Sequence, residues 1–133
     1  LVPVLDIKME RGHMETRSAG VALVSMVRKI TNKITVLDFI QSEPVSDVVK
    51  AATYRMYFVS EDNERISNEN SCIADSRDQD AGKRIFRMKF QFKDKKYPKD
   101  KQYFFMIYDD ATGLEVFRHP VIMDIAFADD YGF

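Results

Sequence analysis

The sequence predicts an all-β fold, an immunoglobulin-like antiparallel β-sandwich of about seven strands. Three observations predict it. In residues 85–93, Phe86, Met88, Phe90 and Phe92 alternate with Arg87, Lys89, Gln91 and Lys93. Period two sends the apolar set to one face and the polar set to the other, as in a half-buried strand. Tyr103-Phe104-Phe105-Met106-Ile107-Tyr108 is apolar on both faces, which predicts a central strand covered from two sides. Short apolar runs also recur at regular spacing with turn residues between them.

In chain order, residues 1–19 form a lead segment distinct from the domain of residues 20–133. Residues 2–9 read as a strand, whereas 10–17 are polar and unpatterned. The lead is a linker, an interdomain strand or partly vector-derived. Residues 21–30 and 34–41 read as paired strands joined across Thr31-Asn32-Lys33. Residues 45–52 offer a helical turn, or a strand from Lys50 onward. The aromatic run Thr53 to Val59 is a strand, and Glu61-Asp62-Asn63-Glu64 is a hairpin-length turn. Residues 68–83 are a polar loop holding at most one short edge strand, at Cys72-Ile73-Ala74. Asp109 to Gly113 is a second turn, with Gly113 free to adopt a positive φ. Residues 116–127 form a final strand whose Pro120 belongs at an edge or a bulge, because it cannot donate to the ladder.

Length and composition exclude several classes of function. With 133 residues and 45% hydrophobic content, the chain is one domain able to build a core. A formal charge of −1 gives no overall pull towards nucleic acid or anionic membrane. Cys72 is the single cysteine, so an internal disulfide scaffold is excluded. No apolar run approaches the roughly 18 residues of a spanning helix, and no signal peptide opens the sequence. A soluble, cytoplasmic domain is expected. The sequence does not begin with Met, so it is expected to be a piece of a longer protein.

Candidate chemistry is sparse. His13 and His119 are the two histidines, and neither has a nucleophile in a recognisable motif. Cys72 has no neighbouring histidine and reads as a small hydrophobe or a loop thiol. Asp75, Asp78 and Asp80 followed by Gly82 faintly suggest a calcium loop, but the spacing misses the EF-hand pattern. The adjacent acids Asp109-Asp110 and Asp129-Asp130 would point to opposite faces of a strand. No glycine-rich phosphate loop is present. No catalytic, cofactor-binding or metal residue is therefore assigned. The one basic concentration is residues 93–101, where five lysines stand against two aspartates. Lys89, Lys93, Lys95, Lys96, Lys99 and Lys101 are the candidate nucleic-acid contacts, set against the plainer reading of a solvated loop. Tyr131 and Phe133 read as a packed tail or a docking peptide.

Asp100-Lys101-Gln102-Tyr103, opening the penultimate strand, resembles a tyrosine corner, in which Tyr103 ties the chain by its hydroxyl. More broadly, Gln41-Ser42-Glu43-Pro44-Val45-Ser46, the stretch 97–108, and Asp124-Ile125-Ala126-Phe127-Ala128-Asp129-Asp130-Tyr131-Gly132-Phe133 resemble the C-terminal end of PglZ-type proteins. These are the phosphatase-like components of BREX phage-defence systems, and their core is similar to the alkaline phosphatase superfamily. The resemblance covers residues 20–133 and carries no catalytic motif. It implies a C-terminal accessory domain, partnered by the upstream phosphatase core and by other phage-defence proteins.

The expected function is thus a non-catalytic scaffolding or protein-interaction module, with an exposed apolar patch where it meets its parent. The alternative is a nucleic-acid-contacting module using the basic loop. An extracellular adhesion or carbohydrate-binding sandwich is disfavoured by the missing signal peptide and disulfides, and an enzyme in its own right ranks last.

Overall fold

The computed structural model describes residues 16–125. Its strands are β1 (Arg17–Ser18), β2 (Val21–Leu23), β3 (Lys29–Ile30), β4 (Ile34–Gln41), β5 (Val49–Lys50), β6 (Ala52–Ser60), β7 (Asn70–Ala74), β8 (Ile85–Gln91), β9 (Tyr103–Asp109) and β10 (Glu115–Met123). A 3-10 turn at Ala81–Arg84 leads into β8. Among the described residues the fold is all β, in sheets of order β2-β4-β8, β3-β10-β9-β6-β7 and β1-β5. Pairing is antiparallel except for β1 with β5 and β3 with β10.

Alternation in the sequence decides which side chains enter the core. In β8, Phe90 is buried and Phe86 and Met88 pack against the core, with Phe92 buried just beyond the strand. Arg87, Lys89 and Gln91 face solvent. In β9, Tyr103, Phe105 and Ile107 face the core, while Phe104, Met106 and Tyr108 lie on the other face. Phe105 then meets Phe39 of β4 at 5.8 Å and Phe90 of β8 at 5.7 Å, ring centre to ring centre. Phe58 of β6 meets Phe90 at 5.3 Å and Phe92 at 4.8 Å. The three-stranded and five-stranded sheets therefore share one aromatic core. Tilted and edge-on pairs of this kind add about 0.5–1.5 kcal/mol each beyond the area they bury.

The central strand is covered on both faces, as its composition predicts. Tyr108 stacks on Tyr57 at 5.3 Å, the Arg65 guanidinium sits 4.1 Å over Tyr57, and that of Arg118 sits 4.9 Å over Phe104. Met106 is fully buried on this side.

Residues 21–30 do not form one strand paired with β4. Only Val21–Leu23 pairs there, and Lys29–Ile30 crosses to the other sheet beside β10. The cause is a set of bonds from β10: His119 Nε2 lies 2.9 Å from the Val27 carbonyl oxygen, and Ile122 and Asp124 donate to the carbonyls of Arg28 and Ile30. A carbonyl only accepts, so Nε2 carries the proton. Pro120 precedes the stretch that β3 covers. Backbone N–H groups of Ile122 and Asp124 point at β3, so Pro120 occupies the position where an N–H would face the open edge unpaired. The register irregularity of β10 lies between Glu115 and Phe117, and the strand stops at Met123 rather than at residue 127.

Both predicted turns form. Gly113 has φ 72° and donates to the Asp109 carbonyl at 2.7 Å, while Asn63 reaches φ 64° without being glycine. The polar loop holds β7 as an edge strand, and Asn68 and Asn70 bond Lys89 and Gln91 along the free edge of β8. Residues 45–52 hold β5 and the start of β6 rather than a helical turn. The end of the predicted lead packs on the domain: Arg17–Ser18 pairs with β5, and Ala19 is buried, its carbonyl accepting from the Tyr54 hydroxyl at 2.6 Å. The strand expected at residues 2–9 lies outside the described residues.

Phe105→Ala is expected to lower unfolding free energy by about 3–5 kcal/mol, because four rings lose a shared contact. Urea denaturation checks this. A loss under about 1.5 kcal/mol would mean the core collapses around the gap or that Phe105 does not join the sheets.

Candidate functional site

The lysine-rich segment connects β8 to β9 and is held by two tyrosines. Tyr97 is buried and donates from its hydroxyl to the Lys93 carbonyl at 2.7 Å. It meets Tyr103 edge-on at 5.8 Å, and Tyr103 donates to the Pro98 carbonyl at 3.2 Å, five residues upstream. Burial pushes the Tyr97 hydroxyl up to about 12, and also raises Tyr103 above its ordinary value.

Carboxylates take up much of the loop's charge. Lys95 Nζ lies 2.9 Å from both oxygens of Glu64, Lys99 is 2.8 Å from Asp124, and Lys101 is 2.7 Å from Asp62. Asp94 of the loop pairs with Lys33 at 2.6 Å. The hydrogen bond from Lys95 holds Glu64 below the usual carboxylate range, and the one from Lys99, with Lys29 nearby, does the same to Asp124. Such exposed pairs add little to stability, yet they compete directly with phosphate for the same ammonium groups. Lys89 and Lys93 have no ion pair among the described residues and flank a groove of about 380 Å³ with Asn68 and Gln91. Lys96 is exposed on the loop. The six lysines do not form one unmatched patch. The acids that match them come from the turn after β6 and the end of β10, which no local pattern links to the loop.

The remaining candidates serve the fold. Asp78 and Asp80 accept from the backbone N–H groups of Asp80 and Gly82, each at 2.9 Å. Beside them Arg84, unremarked in the sequence, is buried and donates to the carbonyls of Gln41 and Asp78 at 3.0 and 2.9 Å. Gln41 spans to Ser76, donating to its carbonyl and accepting from its N–H. Asp109 caps its turn and Asp110 faces Arg55. Cys72 lies in β7 against the core, and burial pushes its thiol up to about 11, away from thiolate chemistry. Among the described residues no three His, Cys, Asp or Glu side chains come together as a metal site. His13, Asp129, Asp130, Tyr131 and Phe133 lie outside the described residues. No helix among the described residues is long and apolar enough to cross a membrane.

One surface stands out instead. On the outer face of the three-stranded sheet, Ile34 and Val36 of β4 and Ile85 of β8 are about half exposed, with Val24 and Met26 exposed beside β2. The Arg87–Asp38 pair at 2.8 Å crosses the middle of this face. The signal was present in the sequence, since Ile34-Thr35-Val36-Leu37 is apolar on both faces of its strand, but only one face is covered within the described structure.

Among the described residues, fold and site together define an all-β module in which Cys72 packs against the core and His119, Asp78, Asp80 and Asp109 make hydrogen bonds to the backbone. Along its whole length the chain is similar to a segment of PglZ-type proteins. It is 37% identical, over 138 aligned residues, to the alkaline phosphatase-like protein PglZ of Bacillus cereus (strain H3081.97). It is 24% identical over 135 residues to the alkaline phosphatase-like protein BrxZ of Escherichia coli O9:H4 (strain HS). The alignments take in 100% and 98% of this chain, which spans 16% of each relative. No protein-family model matches the chain.

The buried Tyr97 hydroxyl gives a pH prediction. Its folded value is raised above the unfolded one, so its contribution is intact below about pH 10 and is lost as pH rises towards 12. Chemical denaturation across that range is expected to show a smaller alkaline loss of stability for Tyr97→Phe than for the wild type. Parallel curves would mean that the tyrosine ionises as freely in the folded chain as in the unfolded one.

Proposed function

We propose that this chain is a non-catalytic accessory module of a PglZ-type alkaline phosphatase-like protein, seated on the rest of that polypeptide through the outer face of the three-stranded sheet. The observation that carries this is the group of exposed apolar side chains that β4 and the residues after β2 present on that face. On the five-stranded sheet, Arg65 and Arg118 cover the rings of Tyr57 and Phe104, while Ile73, Val116 and Ile122 are exposed singly. On the other, Val24, Met26, Ile34, Val36 and Ile85 stay open to solvent. Exposed apolar surface of this kind, here divided by the Arg87–Asp38 pair, suits an interaction site, and covering each half-exposed side chain is worth roughly 1 kcal/mol. The similarity to proteins about six times longer supplies the partner.

The module works in the cytoplasm, in BREX phage defence, and needs no cofactor of its own. We read its fold as an immunoglobulin-like sandwich. Support comes from the seven strands of three or more residues, which divide three and four between the facing sheets. Support comes also from Tyr103, whose bond to Pro98 at the start of the penultimate strand has the form of a tyrosine corner.

The test is association in trans. This chain is mixed with a PglZ-type polypeptide lacking the matching segment, and a one-to-one complex is expected. Val36→Asp or Ile85→Asp, both at solvent-facing positions, should weaken it by about tenfold or more. Absence of a complex, or one indifferent to both substitutions, contradicts the proposal. The chain alone is expected to release no phosphate from p-nitrophenyl phosphate with zinc or magnesium present, and turnover that tracks the purified chain would contradict the non-catalytic role.

A further inference from the structure

Strand register maps the outer face of the three-stranded sheet residue by residue. Ala22, Ile40 and Ile85 lie side by side in one row, followed by Asp38 with Arg87, Val36 with Lys89, and Ile34 with Gln91. Period two puts all of these on the side away from the core, so the ionisable strand residues of this face are Asp38, Arg87 and Lys89. Arg87 engages Asp38 through Nε alone, at 2.8 Å. Both terminal nitrogens of its guanidinium are without a partner among the described residues, on a side chain 72% exposed. Lys89, one row along and exposed, has no ion pair among them either. The acids next along the chain after β4 and β8 are engaged elsewhere, Glu43 by Arg17 and Asp94 by Lys33. The backbone of β8 is closed to an added strand beside Lys89. Asn70 donates from its side-chain amide to the Lys89 carbonyl at 2.8 Å, and the Asn68 amide oxygen accepts from the Gln91 N–H at 2.6 Å. A partner at this end therefore meets side chains of the face.

We infer that the protein surface seated on this face presents a carboxylate to the terminal nitrogens of Arg87, within reach of Lys89, and places aliphatic side chains on Ile85 to one side and on Val36 and Ile34 to the other. The inference rests on the reading of this face as the docking surface and names what the partner places there. Docking takes the Arg87–Asp38 pair out of water. A guanidinium with open N–H groups is costly in a dry interface unless acceptors meet it. A carboxylate meets the two terminal nitrogens in parallel, the strongest form of that contact. Asp38 matches one of the two cations on the face, so a neutral acceptor would leave the second uncompensated, whereas a carboxylate balances it. Nucleic acid fits less well. Asp38 would repel a phosphate at the centre of the face, and none of its strand positions carries an aromatic ring on which a base could stack.

The test returns to association in trans, with the aliphatic positions left unchanged. Arg87→Gln is expected to weaken the complex about tenfold or more and Arg87→Lys less, because an ammonium keeps the charge and loses the fork. Lys89→Gln should weaken it by a smaller factor, and excess oligothymidine should leave it intact. Circular dichroism confirms that the variants fold. A second measurement uses an intact PglZ-type chain carrying this segment and a water-soluble carbodiimide, which activates a carboxylate so that a neighbouring amine displaces the urea and forms an amide. Peptide mass spectrometry is expected to find Lys89 joined to an Asp or Glu outside the 133 residues, and Arg87→Lys to add a second bond at position 87. A complex that Val36→Asp weakens but Arg87→Gln leaves unchanged overturns this inference and keeps the docking face. No complex, or one indifferent to Val36→Asp, overturns both. Absence of a carbodiimide bond at either position, or displacement of the complex by oligothymidine, also overturns the inference.

Discussion

The contact between Phe105 of β9 and the rings of Phe39 and Phe90 on the facing sheet is the one on which the rest of the molecule depends. Among the described residues there is no disulfide, metal cluster or α-helix, so the two main sheets hold together by packing. Phe58 reaches from β6 to Phe90 and Phe92, and Phe117 reaches Phe105 from β10. Because these rings come from strands far apart in sequence, the core forms only when both sheets are in register. Each outer face is fixed at the same time, since period two in a strand commits the neighbours of every core residue to the opposite side.

That commitment links the core to function. Burying Phe39 and Leu37 of β4 turns Ile34 and Val36 outward, and burying Phe90 of β8 turns Lys89 outward. On β9 the same logic turns Phe104 and Tyr108 outward, but there Arg118 and the stacked Tyr57 close over them. The outward rings of β9 are thus covered by side chains of their own sheet, whereas Ile34 and Val36 of β4 are not. It is through Ile34 and Val36 that we propose the chain meets the rest of a longer PglZ-type polypeptide.

Much of this was legible in the residues. Alternation in 85–93, the two-sided apolar run of β9 and the turn at Gly113 each specify their element locally, through side-chain period or backbone freedom. Position 103 was legible too, as an aromatic opening a strand after a short polar turn. The crossover after Leu23 was not, because it depends on His119, Ile122 and Asp124, about ninety residues away. Nor was the pairing of Lys95, Lys99 and Lys101 with Glu64, Asp124 and Asp62. Read along the chain, those lysines are a basic run; folded, they sit opposite acids from the turn after β6 and from the residue after β10. Arg84 and Gln41 were missed for a related reason, since a polar residue near a strand end shows no sign of the buried carbonyls it will meet.

Side-chain accessibility in the intact protein tests the docking claim most directly. Val36 and Val116 are 49% and 52% exposed on opposite sheets, so cysteines placed there are matched probes. In a cysteine-depleted, full-length PglZ-type chain carrying this segment, Val36→Cys is expected to react with maleimide about tenfold more slowly than Val116→Cys, and at an equal rate in the isolated 133-residue chain. Equal rates in both settings would contradict the account.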